Sequence, residues 1–346
     1  MSAIGLPASA HLRADMGIDA KLRRMAMFLG AANILVWAWA WFALREEGAL
    51  LGTAALAYGF GLRHALDADH IAAIDNVTRK LMQDGQRPAA VGFFFALGHS
   101  MVVVLAAVLV AYAARSFGSW LPRLQEYGGL LSACISTSFL MLIGLFNVFV
   151  LASLYRMHRR IRRGMRVNEE PAAIRGNLLA RLCIPLFARI RHSWQMIPLG
   201  FLFGLGFETA TEVTLLSTSA LHAAQGASIA TVLLFPALFT VGMLTLDAAD
   251  GILMLRLYGW ALAHPARKLY YNMALTFLSM LLAFVIAALG ITGLIGEHWQ
   301  LEGGIWDAVH VAQQNMLTLG YIIIGVFLLS WIVSRWSDRF KSDNNI

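Results

Sequence analysis

The run Arg63-His64-Ala65-Leu66-Asp67-Ala68-Asp69-His70-Ile71 packs two imidazoles and two carboxylates into nine residues. Neutral imidazole and carboxylate together are donors for Zn, Ni, Co or Cu. Mg, which takes oxygen, fits them poorly. On a regular helix at about 100° per residue, His64, Asp67 and His70 share an arc about 120° wide, and Asp69 points the opposite way. Two arrangements are therefore open. Either three side chains converge, or the helix unwinds locally and Asp69 joins them. Gly59 and Gly61 lie just upstream and make distortion cheap. A purely structural reading pairs Arg63 with Asp67 at a capped helix end. It leaves both histidines and Asp69 without a task.

Three further groups carry polar chemistry in apolar surroundings. His99 and Ser100 follow Phe93-Phe94-Phe95-Ala96-Leu97-Gly98, and Gly98 permits close approach of a neighbouring helix. Glu208, Thr209 and Glu212 lie in Gly204-Leu205-Gly206-Phe207-Glu208-Thr209-Ala210-Thr211-Glu212. Glu208 and Glu212 are spaced i, i+4 on one helical face. They repel unless a proton or a cation sits between them. Asp247 and Asp250, beside Gly251, read either as a second site or as a cap at a helix end. With Asp75, these bring the intramembrane carboxylates to seven: Asp67, Asp69, Asp75, Glu208, Glu212, Asp247 and Asp250.

The elements that must position these residues are membrane helices. The chain has 346 residues, 59% hydrophobic and 14% charged. An average soluble domain carries about 25% charge. The mean hydropathy is +0.65. A soluble domain and a disordered chain are both excluded. Eight stretches reach the roughly 20 apolar residues that a bilayer demands. They fall at 25–44, 49–72, 89–114, 129–155, 196–220, 229–256, 269–295 and 312–334. The expectation is one all-α polytopic membrane domain over 1–346, without the alternating strands of a barrel. Ala38-Trp39-Ala40 has the form of a cleavage site, but the apolar run continues past it and reads as an uncleaved helix.

Net charge supports this count. With the N-terminus inside, the cytoplasmic segments hold 23 of the 27 Lys and Arg residues. The outer loops hold Arg45, Arg115 and Arg123, and Arg63 lies within a span. That asymmetry predicts both termini inside. It also assigns the net charge of +7 to topology and membrane headgroups rather than to nucleic acid. Cys134 and Cys183 form no Cys-x-x-Cys pair, and the chain has neither a Gly-x4-Gly-Lys-Ser/Thr loop nor a His-Glu-x-x-His motif. Neither an ATPase activity nor a metalloprotease follows.

A weak internal repeat is present. Phe60-Gly61-Leu62 matches Phe203-Gly204-Leu205, and Gly98 matches Gly242 at nearly the same offset. In the eight-span topology the matched spans run in opposite directions. The pattern therefore predicts an inverted repeat with a site at its interface.

His64, Asp69 and His70, with the residues between them, resemble the signature of the NiCoT family of nickel/cobalt permeases. Leu97 to Ser100, Leu205 to Val213, Leu246 to Gly251, and Tyr270-Tyr271-Asn272 resemble further motifs of that family, in order. The resemblance implies uptake of Ni(II), Co(II) or both across the bacterial cytoplasmic membrane, with the metal as substrate and no resident cofactor. It implies metal recognition by His64, Asp69 and His70, with Asp67 and His99 beside them. Arg63, Ser100, Glu208, Thr209, Glu212, Asp247, Asp250 and Asn272 are then supporting or pathway residues. Position 208 holds Glu where the family motif has Asp, which lengthens that side chain by one methylene. Efflux of the same metals and a haem-binding electron-transfer subunit are the competing functions. The first would be expected to carry a His-rich cytoplasmic loop, and 156–195 has only His158 and His192. The second uses histidines but leaves seven carboxylates unexplained.

Overall fold

The signature run does not pass through the structure as one helix. The computed structural model describes residues 8–46, 48–113, 121–163, 190–205, 210–224, 226–262, 268–326 and 329. Helix α1 spans Ala8–Leu44, α2 Gly48–His64, α3 Ala68–Gln83, α4 Val91–Ala113 and α5 Leu121–Arg162. After a short 3-10 turn come α6 Met196–Gly204, α7 Ala210–Ala224, α8 Ile229–Leu262, α9 Lys268–His298 and α10 Ile305–Gln314. Helix α11 spans Met316–Val326. No strand occurs among the described residues.

Two expected spans are corrected. The stretch 49–72 breaks at Ala65-Leu66-Asp67, and α3 then runs on through what read as a cytoplasmic loop. Asp67 adopts an extended backbone (ψ 144°) at the start of α3, which ends α2 and opens the next helix. The last amides of α2 tighten, with Leu66 N–H donating to the Arg63 carbonyl (3.1 Å) and Asp67 N–H to that of His64 (3.0 Å). Such i→i+3 bonds satisfy carbonyls that a broken helix would otherwise strand in lipid. Gly320 of α11 lies against the Leu66 carbonyl so closely that a Cβ there would collide with it. Helix α11 therefore covers the break.

Helix α3 is buried along nearly its whole length, including Asp75, Asn76, Arg79 and Lys80. A hydropathy reading misplaces it because its buried face is polar. The stretch 196–220 likewise holds two described helices, α6 and α7, rather than one.

At the centre, α8 packs against α1, α2, α3, α4 and α7. Helix α4 packs against α6, α7 and α8. Glycines set these crossings. A side chain at Gly61 of α2 would strike the backbone of Phe239, and one at Gly242 of α8 would strike Tyr58. On the other side, Gly98 of α4 abuts Ile197, while Gly200 of α6 abuts Phe95. Small residues let membrane helices approach closely enough to pack without a hydrophobic driving force. Phe95, Phe235, Phe239 and Met243 fill the space between these crossings.

The periphery is different. Helix α5 packs along α9, and Phe284 of α9 leans on Gly144. Helix α1 turns Ile34, Leu35 and Phe42 outward, and α9 does the same with Phe277 and Leu281. Such faces suit lipid. Among the described residues, five helices are long and apolar enough to cross a membrane: Asp19–Leu44, Val91–Leu109, Ala133–Arg160, Ile229–Gly259 and Thr276–His298. Met316–Val326 is a shorter apolar helix.

Candidate metal centre

The break between α2 and α3 brings three imidazoles together. His64 closes α2, His70 stands in the first turn of α3, and His99 comes from the middle of α4. All three are buried, and one ligand atom from each lies within 4.8 Å of the others. Their ring centroids are 4.6 Å (His64–His70), 4.8 Å (His64–His99) and 4.9 Å (His70–His99) apart. Among the described residues, no other group of three or more metal donors converges in this way.

Carboxylates from both halves of the chain surround them. Glu212 of α7 places Oε1 2.8 Å from His99 Nε2 and 3.6 Å from His64 Nε2. The two Nε2 atoms are 3.0 Å apart. Donors on a metal with bonds of about 2.1 Å sit roughly 3 Å from one another, so the spacing of these three atoms suits a shared ion.

Two other carboxylates hold the outer edges of the rings. His64 Nδ1 lies 3.2 Å from Asp67 Oδ2, and His70 Nδ1 lies 3.1 Å from Asp247 Oδ2. A carboxylate that accepts the Nδ1 proton leaves Nε2 with its lone pair for a metal. His70 Nε2 and His99 Nδ1 are buried and have no hydrogen-bond partner among the described residues. Unpaired buried polar atoms are costly in a low-dielectric interior. Of the two, His70 Nε2 is free to join a metal, since His99 already presents its other nitrogen to His64 and Glu212.

The remaining expected residues divide clearly. Asp67 touches His64 rather than pairing with Arg63, which is exposed. Asp69 is half-buried in the first turn of α3, next to His70 in the chain. Its oxygens are not part of the converging imidazole group. Glu212, expected in a supporting place, stands at the centre. Ser100 is buried beside His99. Asn272 lies in the first turns of α9. Glu208 and Thr209 lie outside the described residues. Asp247 and Asp250 are not at a helix end, since α8 continues to Leu262, so the cap reading is corrected.

Sequence reasoning missed a second buried polar assembly. Asp75 accepts hydrogen bonds from Tyr258 and from Ser279 (2.8 Å). Arg79 donates to Thr276 (2.9 Å), Asn76 (3.3 Å) and Asn147. Asn147 in turn donates to Asn76 (2.7 Å). Lys80 is bound by Asp84 (2.7 Å) and donates to the Ile190 carbonyl (2.6 Å). The i, i+4 spacing of Asp75 and Arg79 was the available signal.

Buried imidazoles and carboxylates at a helix break, enclosed by membrane-length helices, define an integral membrane protein that handles a transition-metal ion. Comparison of sequences narrows the class. Residues 50–336 match the NicO family model, described as high-affinity nickel-transport protein, and the chain belongs to that family. It is 49% identical over 318 residues to a high-affinity nickel transport protein of Cupriavidus necator, covering 91% of each chain. It is 40% identical over 311 residues to the nickel transporter NixA of Staphylococcus aureus, covering 89% of this chain and 91% of that one. It is 39% identical over 310 residues to the cobalt transport protein NhlF of Rhodococcus rhodochrous, covering 86% of each. No solved structure matches the chain. The family and these relatives are transporters rather than enzymes. With its several apolar helices, the chain is a multi-pass membrane protein.

Proposed function

We propose that this protein imports Ni(II), Co(II) or both across the bacterial cytoplasmic membrane. His64, His70 and His99 hold the ion, and Glu212 supplies a carboxylate. Asp67 and Asp247 keep the first two rings in the metal-binding tautomer, and Asp69 adds negative charge at the entrance to α3. The single observation that carries this reading is the convergence of three buried imidazoles at the α2–α3 break. Nitrogen donors favour Ni and Co over the far commoner Mg. The relatives named for nickel and cobalt transport support the same cargo.

The topology we favour has eight spans with both termini inside, as the distribution of Lys and Arg suggests. An inverted repeat is consistent with the packing. Helix α2 of the first half crosses α8 of the second, and α6 of the second crosses α4 of the first. The site would then draw His64, His70 and His99 from one half and Glu212 and Asp247 from the other. Two halves that move against each other could expose it alternately to the two sides.

Uptake does not require ATP. One charge crossing the membrane gains roughly 2.3 kcal/mol per 100 mV, and a dication about twice that. Uptake of labelled nickel by cells expressing His64→Ala, His70→Ala or Asp69→Asn tests the reading. Loss of uptake at normal expression is expected. Undiminished uptake in all three would refute the site. Loss of nickel tolerance, rather than of uptake, on deletion would reverse the direction.

A further inference from the structure

Beyond the histidine centre, buried carboxylates continue along the helices. Asp247 and Asp250 stand three residues apart on α8, and both are buried. Asp247 uses Oδ2 on His70, while its Oδ1 has no partner among the described residues. Neither oxygen of Asp250 has one. Asp250 is 8% exposed, and bulk solvent does not reach its oxygens. Asp247, three residues back on α8, and Asp75 of α3 add negative charge around it. A buried carboxylate with acidic neighbours keeps its charge in a low-dielectric interior only when a cation is beside it, and otherwise takes a proton.

The direction of this row is defined by its contacts. On α3, His70 meets Asp247, and five residues later Asp75 meets Tyr258 of α8. Helices α3 and α8 therefore advance together from the histidines. At about 1.5 Å per residue, Asp75 lies roughly 7 Å beyond His70 along α3. Asp250 lies between Asp247 and Tyr258 on α8. Past Asp75, α3 leads on to Arg87, and α8 reaches Arg256, both exposed basic residues that the charge pattern assigns to the cytoplasm.

We infer that Asp247, Asp250 and Asp75 form a second, oxygen-only station for the divalent cation, on the inner side of the histidine centre. This inference rests on the import reading above. Its chemistry suits release. Imidazole nitrogens hold Ni(II) and Co(II) firmly, whereas carboxylate oxygens form a harder, less selective set. Asp247 spans both, with one oxygen toward His70 and the other unpartnered. An ion that slips from the rings onto Asp247 Oδ1 and Asp250 would leave the selective centre without first entering water. Asp75 contributes charge rather than free oxygens, since Tyr258 and Ser279 already donate to it.

The test is titration of the full-length protein in nanodiscs with Co(II), followed by stoichiometry and X-ray absorption. The wild type should bind two Co(II) per chain, the tighter with nitrogen scatterers and the weaker with oxygen alone. Asp250→Asn should lose the weaker site and keep the tighter one, which also reports that the variant is folded. Its cobalt uptake should fall by about tenfold or more, as expected when a supporting ligand is removed. His70→Ala should weaken the nitrogen signature by one imidazole and keep the oxygen-only site. One Co(II) per chain in the wild type, or a weaker site that survives Asp250→Asn, overturns the station. A weaker site lost in Asp250→Asn, with nitrogen binding unchanged in His70→Ala, upholds the station and removes the histidine reading instead.

Discussion

Two buried polar assemblies share α3 and differ in one respect. In the histidine centre, His70 Nε2, His99 Nδ1 and Asp247 Oδ1 have no hydrogen-bond partner among the described residues. Around Asp75 and Arg79, nearly every oxygen and nitrogen is engaged by Tyr258, Ser279, Asn76, Asn147 or Thr276. The second assembly ties α3 to α5, α8 and α9 and leaves little for a ligand to add. The first is incomplete as a hydrogen-bond network and complete as a donor set. Charge and burial are alike in both, so neither identifies a binding site alone. Unspent coordination capacity separates them.

Substitutions should therefore separate along the same line. The largest effect is expected at the centre. His64→Ala or His70→Ala should reduce labelled nickel uptake by more than about 100-fold, beyond the loss typical of a supporting residue. The thermal midpoint in detergent should hardly move. A large fall in that midpoint would place these histidines with the structural assembly instead.

Arg79→Met should do the reverse. It strands Asn76, Asn147 and Thr276 and removes the cation nearest Asp75. A cost of about 3 kcal/mol in stability is expected. Denaturant or thermal unfolding in detergent would measure it, and metal affinity in the folded fraction should be retained.

Asp67→Asn comes next. It preserves shape but releases the Nδ1 proton of His64 from a carboxylate, and metal affinity should fall by about tenfold. Isothermal titration with Ni(II) would show this. The smallest effect is expected for Ser279→Ala, which removes one of two hydrogen bonds to Asp75. A loss of about 1 kcal/mol in stability, with uptake unchanged, is predicted. Transport lost at that position would join the two assemblies into one functional unit.

The chemistry of the centre was largely legible in the sequence. Residue types and apolar surroundings singled out His64, His70 and His99, and Gly98 pointed to close approach. A break in the helix was one of two arrangements that the spacing allowed, but it was expected to bring Asp69 in, and Asp69 stays outside the converging group. Tertiary packing decided the break, because α11 covers the exposed Leu66 carbonyl through Gly320. Glu212 could not be ranked above Asp247 or Asp250 from spacing. Its place depends on how α7 docks against α4, a contact between distant parts of the chain.

Arg79 and Lys80 were the clearest miss. Counted as loop charges, they lie buried in α3. A hydropathy window averages over both faces of a helix and cannot tell a polar buried face from a solvated loop. The signal in reach was Asp75 and Arg79 at i, i+4, flanked by Ile71, Ile74, Val77 and Leu81 at helical spacing.

In the proposed function, the imidazoles of His64, His70 and His99 bind the transported ion. X-ray absorption of the full-length protein in nanodiscs, loaded with one Ni(II) per chain, tests it most directly. The multiple-scattering signature of two or three imidazoles is expected, diminished by one in His70→Ala. A nickel shell of oxygen alone, or an imidazole signature unchanged in His70→Ala, would contradict it.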